Sequence, residues 1–302
     1  MRRIASGPAI AMVAMVVIWG YSWVVMKIAL RHARPLDFAT LRVGIGCALL
    51  FAIVAARRGR FVLPRYRMAV LLGLLQVALF VALTQLALFF AGPGRTSVLV
   101  FTMPFWMIVL AHFVLRERMR GPQWLAVALG FVGLVLIVEP WRLTNLVGSL
   151  LSVAAGAVWA TAAVLSKRWP TANVDPLLFT AWQLLFGFVA LFVLAALNPP
   201  HPMEWNGEYV SSLLFSAVLA TAIGWWLWTY VLAHMPAGIA GLNSLGIPVI
   251  AVLASAIQLG ERPPALELAG MVLIGIALAL LAALGLKTGV RPRLSSDEPR
   301  RT

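Results

Sequence analysis

Residues 94–133 read GRTSVLVFTMPFWMIVLAHFVLRERMRGPQWLAVALGFVG, and residues 238–277 read GIAGLNSLGIPVIAVLASAIQLGERPPALELAGMVLIGIA. Set at an offset of 144, both stretches carry a proline inside an apolar run, at Pro104 and Pro248. A Glu-Arg pair closes each run, at Glu117 and Arg118 and at Glu261 and Arg262, and a second apolar run follows. Upstream, Trp19 and Lys27 recur as Trp159 and Lys167 at an offset of 140. The chain therefore reads as two tandem copies of one unit.

Each copy holds five apolar runs broken by clusters of Arg, Pro, Gly and Asp. They fall at about Ala9 to Leu30, Phe38 to Ala56, Met68 to Ala91, Thr96 to Leu115 and Gln123 to Val138. The second set falls at about Leu146 to Ser166, Leu177 to Leu197, Val210 to Ala233, Gly238 to Leu259 and Ala265 to Leu286. Crossing a hydrocarbon core about 30 Å thick takes roughly 20 apolar residues, so these runs count crossings. The predicted fold is an all-α membrane protein of ten transmembrane helices. Residues 1–140 form the first repeat (helices 1–5) and 141–290 the second (helices 6–10), while 291–302 form a basic cytoplasmic tail whose composition predicts disorder. Five is odd, so the second unit enters the bilayer from the opposite side and the repeats are inverted. In secondary transporters such repeats place the substrate near the midplane between the halves.

Composition agrees. The chain is 62% hydrophobic and 11% charged, against roughly 45–50% and about 25% in soluble domains. Its net charge of +14 does not make it a nucleic-acid binder, which would gather Lys and Arg on one soluble face. Here they occupy short loops and chain ends. With the N-terminus inside, the inner segments hold 17 and the outer ones 5, with Lys27 and Arg42 left within helices. Short cytoplasmic loops carry such an excess, so both termini are expected in the cytoplasm. Arg outnumbers Lys 21 to 3, the usage of a GC-rich bacterial genome, and the expected location is a bacterial cytoplasmic (inner) membrane. The lone Cys47 lies in an apolar run and supports neither a disulfide nor a multi-cysteine metal site. Arg2 and Arg3 ahead of an apolar run imitate a signal peptide. That run is too long for one and lacks a small-residue cleavage site, so it reads as an uncleaved first helix.

A polar group inside a bilayer is costly unless paired or wet, which makes each one a candidate for function. Lys27 and Arg42 each lie about a turn from the outer end of their helix and can snorkel. Arg42 reads either as a partner of Asp37 or of capping carbonyls, or as the group that attracts an anionic or carboxylate-bearing solute. Lys27 is open to the same pair of readings, end pairing against substrate attraction or gating. On helix 3, Gln76, Phe80 and Thr84 at i, i+4 and i+8 share one face, with Gln85 about 100° round. Thr221, Trp225 and Trp228 make a comparable face on helix 8. Trp19 and Trp159 lie halfway along their helices, where interfacial belts do not explain them and an indole N–H needs a partner or water. Gln183 matches Arg42 in the repeat.

Pro104 and Pro248 free the carbonyls of Val100 and Ser244 and are candidate hinges. Asn243 and Ser244 stand where helix 4 has Leu99 and Val100, which marks them as candidate specificity residues. The substrate-binding candidates are thus Trp19, Gln76, Phe80, Thr84, Trp159, Trp225, Asn243 and Ser244, each with a packing role as its rival. Glu117 and Glu261 read as caps of the following helix or partners of a turn Arg. Ala126, Gly130 and Gly133 on helix 5, and Gly275 and Ala279 on helix 10, have the spacing of close helix contacts.

The segments LRERMRGPQWLAVALGFVGLVLI (115–137) and QLGERPPALELAGMVLIGIALALL (258–281), each following a proline-containing apolar helix, resemble the ends of the duplicated EamA domain of the drug/metabolite transporter superfamily. IWGYSWVVMKIAL (18–30) followed by RPLDFATLRVG (34–44) resembles that family's opening, with Trp19, Lys27 and Arg42 at the matching places. The resemblance runs from about Ala9 to Leu286. It implies a ten-helix carrier of small metabolites, often outward, such as amino acids and other organic solutes, without naming the solute.

No HExxH, GxSxG, Walker A loop or catalytic acid pair is present, and all ten Asp and Glu fall in loops or near helix ends. The expectation is a protein that is not an enzyme, with no catalytic residue, cofactor or metal. Its partners are a small-molecule substrate and the lipid bilayer, with no nucleic acid; a homodimer is compatible with the sequence but not required by it. The function expected is a secondary transporter that exports or exchanges a small amphipathic metabolite such as an amino acid, through an alternating-access cavity between the repeats. The rivals are a flippase-like carrier for a lipid-linked group and a membrane sensor that transports nothing.

Overall fold

The computed structural model describes residues 6–57, 61–62, 65–114, 121–139, 146–168, 175–199, 202–234, 244 and 246–287. Among them stand ten helices and no strand: α1 Ser6–Ala29, α2 Pro35–Ala56, α3 Tyr66–Phe90, α4 Pro93–Val114, α5 Gly121–Val138, α6 Leu146–Arg168, α7 Pro176–Ala196, α8 207–234, α9 Gly246–Leu259 and α10 Ala265–Lys287. Eight of these are long and apolar enough to cross a bilayer, and α9 and the apolar part of α10, Ala265–Leu280, are shorter. Large apolar side chains face outward along the bundle; Ile257 is 85% exposed and Leu197 77%. Lipid is the solvent that suits such a surface. The fold is an all-α membrane protein of ten helices.

Local chemistry sets the helix starts. Pro35, Pro93 and Pro176 each open a helix, where the missing N–H costs nothing and φ is already helical. Asp175 accepts a hydrogen bond from the Leu177 N–H at 2.9 Å, and Asn206 accepts one from the Tyr209 N–H at 2.8 Å, so both cap their helices. The proline rule also corrects one expectation. Helix α4 begins at Pro93 rather than Thr96, which puts Arg95 in its first turn, buried, instead of in a loop.

Two helices contain a π segment: Gly73–Leu79 in α3 and Phe215–Ile223 in α8. Their starts are 142 residues apart, within the range of the sequence offsets, so the irregularity belongs to the repeated unit. Packing respects the same exchange. α1 lies on α8 and α9 while α6 lies on α3 and α4, and α2, α4 and α5 each pack on their counterparts α7, α9 and α10. Gly46 of α2 abuts Thr221 in one π segment, where a Cβ would come within 2.6 Å. Gly187 of α7 abuts Val77 in the other, at 2.3 Å. The two five-helix units therefore have inverted topology.

α5 and α10 meet through Gly133 and Gly270, each of which would place a Cβ under 3 Å from the other's carbonyl. Gly275, which the spacing singled out for such a contact, has open space beside it. It lies on the side of α10 that borders α4 and α9, while Ile274 beside it packs on Gly133. Glu117, Arg118, Asn243 and the 291–302 tail lie outside the described residues, as does most of the stretch before Gly246 that was expected to begin helix 9.

Candidate functional site

A cavity of about 110 Å³ lies at the centre of the bundle, walled by α1, α2, α3, α4, α6, α8 and α9. Engineered apolar cavities of about 150 Å³ admit benzene, so this one is sized for a small metabolite fragment. Of the residues expected to contact substrate, Trp19, Phe80, Thr84, Trp159 and Trp225 all line it, and Arg42 joins them. The rings form a continuous chain. Phe80 meets Trp159 at 4.8 Å between centroids, Trp159 meets Trp225 at 5.7 Å, and Trp225 meets Trp19 edge-on at 6.3 Å. Trp228 packs on Trp19 from outside the cavity, at 6.1 Å.

Trp19 is locked in place. Its indole N–H donates to the carbonyl of Ala220 at 2.9 Å, and Gly224 leaves the space the ring needs, since a Cβ there would lie 2.2 Å from Trp19 Nε1. The bond ties α1 of one repeat to the π segment of α8 in the other. Within that segment Thr221 donates to the carbonyl of Ser216 at 2.7 Å, five residues back.

Arg42 is the cation of the cavity. The guanidinium places Nη1 3.1 Å from the Met26 sulfur, a weak acceptor, and its Nε has no partner. Asp37, one of the partners considered for it, is bound instead to Arg34 at 2.7 and 3.2 Å. From behind Met26, Gln85 donates to the same sulfur at 3.0 Å. Thr84, 3% exposed, lines the cavity, and its buried hydroxyl has no partner.

The other candidates lie elsewhere. Gln76 sits inside the π segment of α3; a π turn takes in an extra residue, which rotates Gln76 away from the face of Phe80 and Thr84, and it does not line the cavity. Ser244 is buried, its carbonyl accepting from the Ile247 N–H at 3.0 Å, away from the cavity wall. Lys27 spends its three donors on the carbonyls of Leu88, Phe89 and Ala91, at 2.5, 3.3 and 3.0 Å. It thereby caps the C-terminus of α3, with no donor left for a guest.

Glu261 caps not the helix after it but the N-terminus of α4. The carboxylate accepts from the Gly94 N–H at 3.4 Å and from the Ser255 hydroxyl, and Gly92 leaves it room. Arg95, missed by the sequence reading, joins four helices nearby. It donates to Glu267 at 3.0 Å, to Ser149 at 3.1 Å and to the Val138 carbonyl at 3.3 Å.

α4 is interrupted at Phe101 and Thr102, just ahead of Pro104. Thr102 donates its hydroxyl to the Leu99 carbonyl at 2.7 Å, and the freed Val100 carbonyl packs on Gly156 of α6. Phe101 at this break lines both the cavity and an apolar groove of about 450 Å³ between α4, α9 and α10, to which Pro248 contributes. Met26, Trp23 and Ser22 were also missed as wall residues. Trp19, Trp23 and Met26 stand at i, i+4 and i+7, a spacing that could have found them.

Comparison with known proteins gives one answer. An uncharacterized transporter of Bacillus subtilis strain 168, YoaV, is 31% identical over 84% of this chain and 89% of its own length. A probable amino-acid metabolite efflux pump of Escherichia coli K12 is 26% identical over 86% and 89%. A crystal structure 17% identical in sequence covers 94% of this chain and 99% of its own with a TM-score of 0.67, which shows a shared fold. The description "EamA-like transporter family" matches residues 7–139 and again residues 146–283, and the chain belongs to that family of transporters.

Proposed function

We propose that this chain is a secondary carrier that exports or exchanges a small amphipathic metabolite, by alternating access to the aromatic cavity between its repeats. Both termini lie on the cytoplasmic side of a bacterial inner membrane. The observation that carries the reading is Arg42, a cation facing a mostly apolar cavity with no carboxylate of the protein within ion-pair distance among the described residues. A few polar groups in an apolar pocket are the usual composition of a metabolite site, and an unpaired buried charge is costly unless a ligand supplies its mate. The name of the Escherichia coli relative, "probable amino-acid metabolite efflux pump", is in keeping with a solute that bears a carboxylate.

Counterflow in proteoliposomes tests this with a panel of amino acids and related small carboxylates. At least one solute should exchange saturably. A hydrogen bond to a charged group is worth about 1.5–3 kcal/mol, so Arg42→Gln should weaken its apparent affinity about tenfold to a hundredfold. Equal affinities in wild type and variant, with the variant folded, would remove Arg42 from the site.

A further inference from the structure

We infer that the cavity selects monoanionic carboxylates that carry an apolar group and no ammonium, such as 2-oxo acids or N-acylated amino acids, over the zwitterions themselves. The inference deepens the carrier reading and rests on it.

Charge is the first reason. Among the described residues, Arg42 is the sole ionisable side chain on the cavity wall. The whole sequence has only ten Asp and Glu, and the nearest along α2, Asp37, is held by Arg34. A bound monocarboxylate leaves the loaded site neutral. A zwitterion leaves it with a net positive charge and sets its ammonium beside the guanidinium.

Hydrogen bonding is the second reason. An ammonium has three donors and needs acceptors, yet among the described residues most of the carbonyls near the cavity that are turned out of the regular helix pattern, or that accept from side chains, are already occupied. The Ala220 carbonyl takes the Trp19 N–H, the Ser216 carbonyl takes the Thr221 hydroxyl, and the Trp19 carbonyl takes the Ser22 hydroxyl at 2.7 Å. At the break in α4, the Leu99 carbonyl takes Thr102, and the Val100 carbonyl, packed against Gly156, is a single acceptor for an ammonium's three donors. Among the cavity-lining residues, the buried side-chain atoms without partners are Arg42 Nε and the Thr84 hydroxyl, and both can donate to a carboxylate; the one unpartnered acceptor beside them, Gln85 Oε1, belongs to a residue off the wall. The faces of Trp159 and Trp225 could attract a cation, but cation–π attraction offsets only part of the cost of stripping water from an ammonium. Those faces serve better as walls for an apolar group.

The test is counterflow and competition with the full chain in proteoliposomes, using two probe series that keep the apolar group and vary the head. One comprises 3-phenylpropionate, phenylpyruvate, L-phenylalanine and phenethylamine; the other 4-methylpentanoate, 4-methyl-2-oxopentanoate, L-leucine and isopentylamine. In at least one series the two carboxylates should compete about tenfold or more better than the amino acid, the loss expected for an unpaired charge, and the amine should not compete. Arg42→Gln should abolish the preference and Arg42→Lys should keep part of it, with size-exclusion profiles showing both variants folded. If the amino acids bind as well as or better than the carboxylates and still depend on Arg42, the carrier reading stands and the head-group selection is wrong. If no probe binds and the Arg42 variants change nothing, both fall together.

Discussion

His32 stands just beyond α1, with Nδ1 2.8 Å from a carboxylate oxygen of Glu204 and Nε2 2.6 Å from one of Glu208. Those hydrogen bonds, supported by the charge of the two carboxylates, raise its pKa above the ordinary 6.5 against a small opposing desolvation. A raised folded-state pKa means that the stabilisation is fully present below the unfolded value and is lost as pH rises through the folded one. The clasp between the α1–α2 connection and the start of α8 should therefore hold below about pH 6.5 and loosen as pH rises through the raised folded value. The thermal midpoint in detergent should fall over that window in wild type and flatten in His32→Gln; an undiminished slope in the variant would clear His32 of the effect. At this scale the cavity was partly legible. Trp19, Thr84 and Trp159 could be named because polar or indole groups are rare at mid-span, where each needs a partner; Phe80 and Trp225 followed from helix-face spacing, and Arg42 from a charge lying within a helix. Arg95 was hidden, since a charged residue beside Pro-Gly reads as a loop until Pro93 is recognised as the first residue of a helix.

The helices themselves followed from apolar run length, because the bilayer sets how long a run must be. Their irregularities did not. A π segment is one residue taken into a turn without a mark in composition, and its effect is visible in the displacement of Gln76 from the face it would share in a regular helix. The break in α4 was half legible: Pro104 removes one bond to Val100, whereas the Thr102 hydroxyl that claims the Leu99 carbonyl belongs to the folded geometry. If this break is a hinge for alternating access, Pro104→Ala restores the missing hydrogen bond and favours one access state. One such bond is worth about 0.5–1.5 kcal/mol. Transport should therefore slow about threefold to tenfold while the yield of folded protein holds. Unchanged transport at unchanged yield would leave Pro104 a packing role, and Pro248→Ala provides the matching measurement in α9.

Across the whole molecule, the charge asymmetry of the loops gives a prediction independent of the cavity. Arg95 was counted among the outer charges, and its burial in α4 widens the asymmetry. A reporter fused after Arg60 should lie in the cytoplasm and one after Glu204 outside it; the reverse at both fusions would invert the assignment. The sequence by itself determined the count of ten helices, the duplication and, through five crossings per copy, the inversion of the repeats. These depend on local run length and on recurrence along the chain, which no packing can alter. Only the tertiary structure decided what each polar group does. Lys27, Arg42 and Glu261 are equally charged residues near helix ends, yet one caps α3, one faces the cavity and one caps α4. In a low-dielectric bundle a charge is defined by its nearest partner. That partner lies tens to hundreds of residues away and is chosen by helix rotation, by the π turns and by the glycines that let helices close on one another.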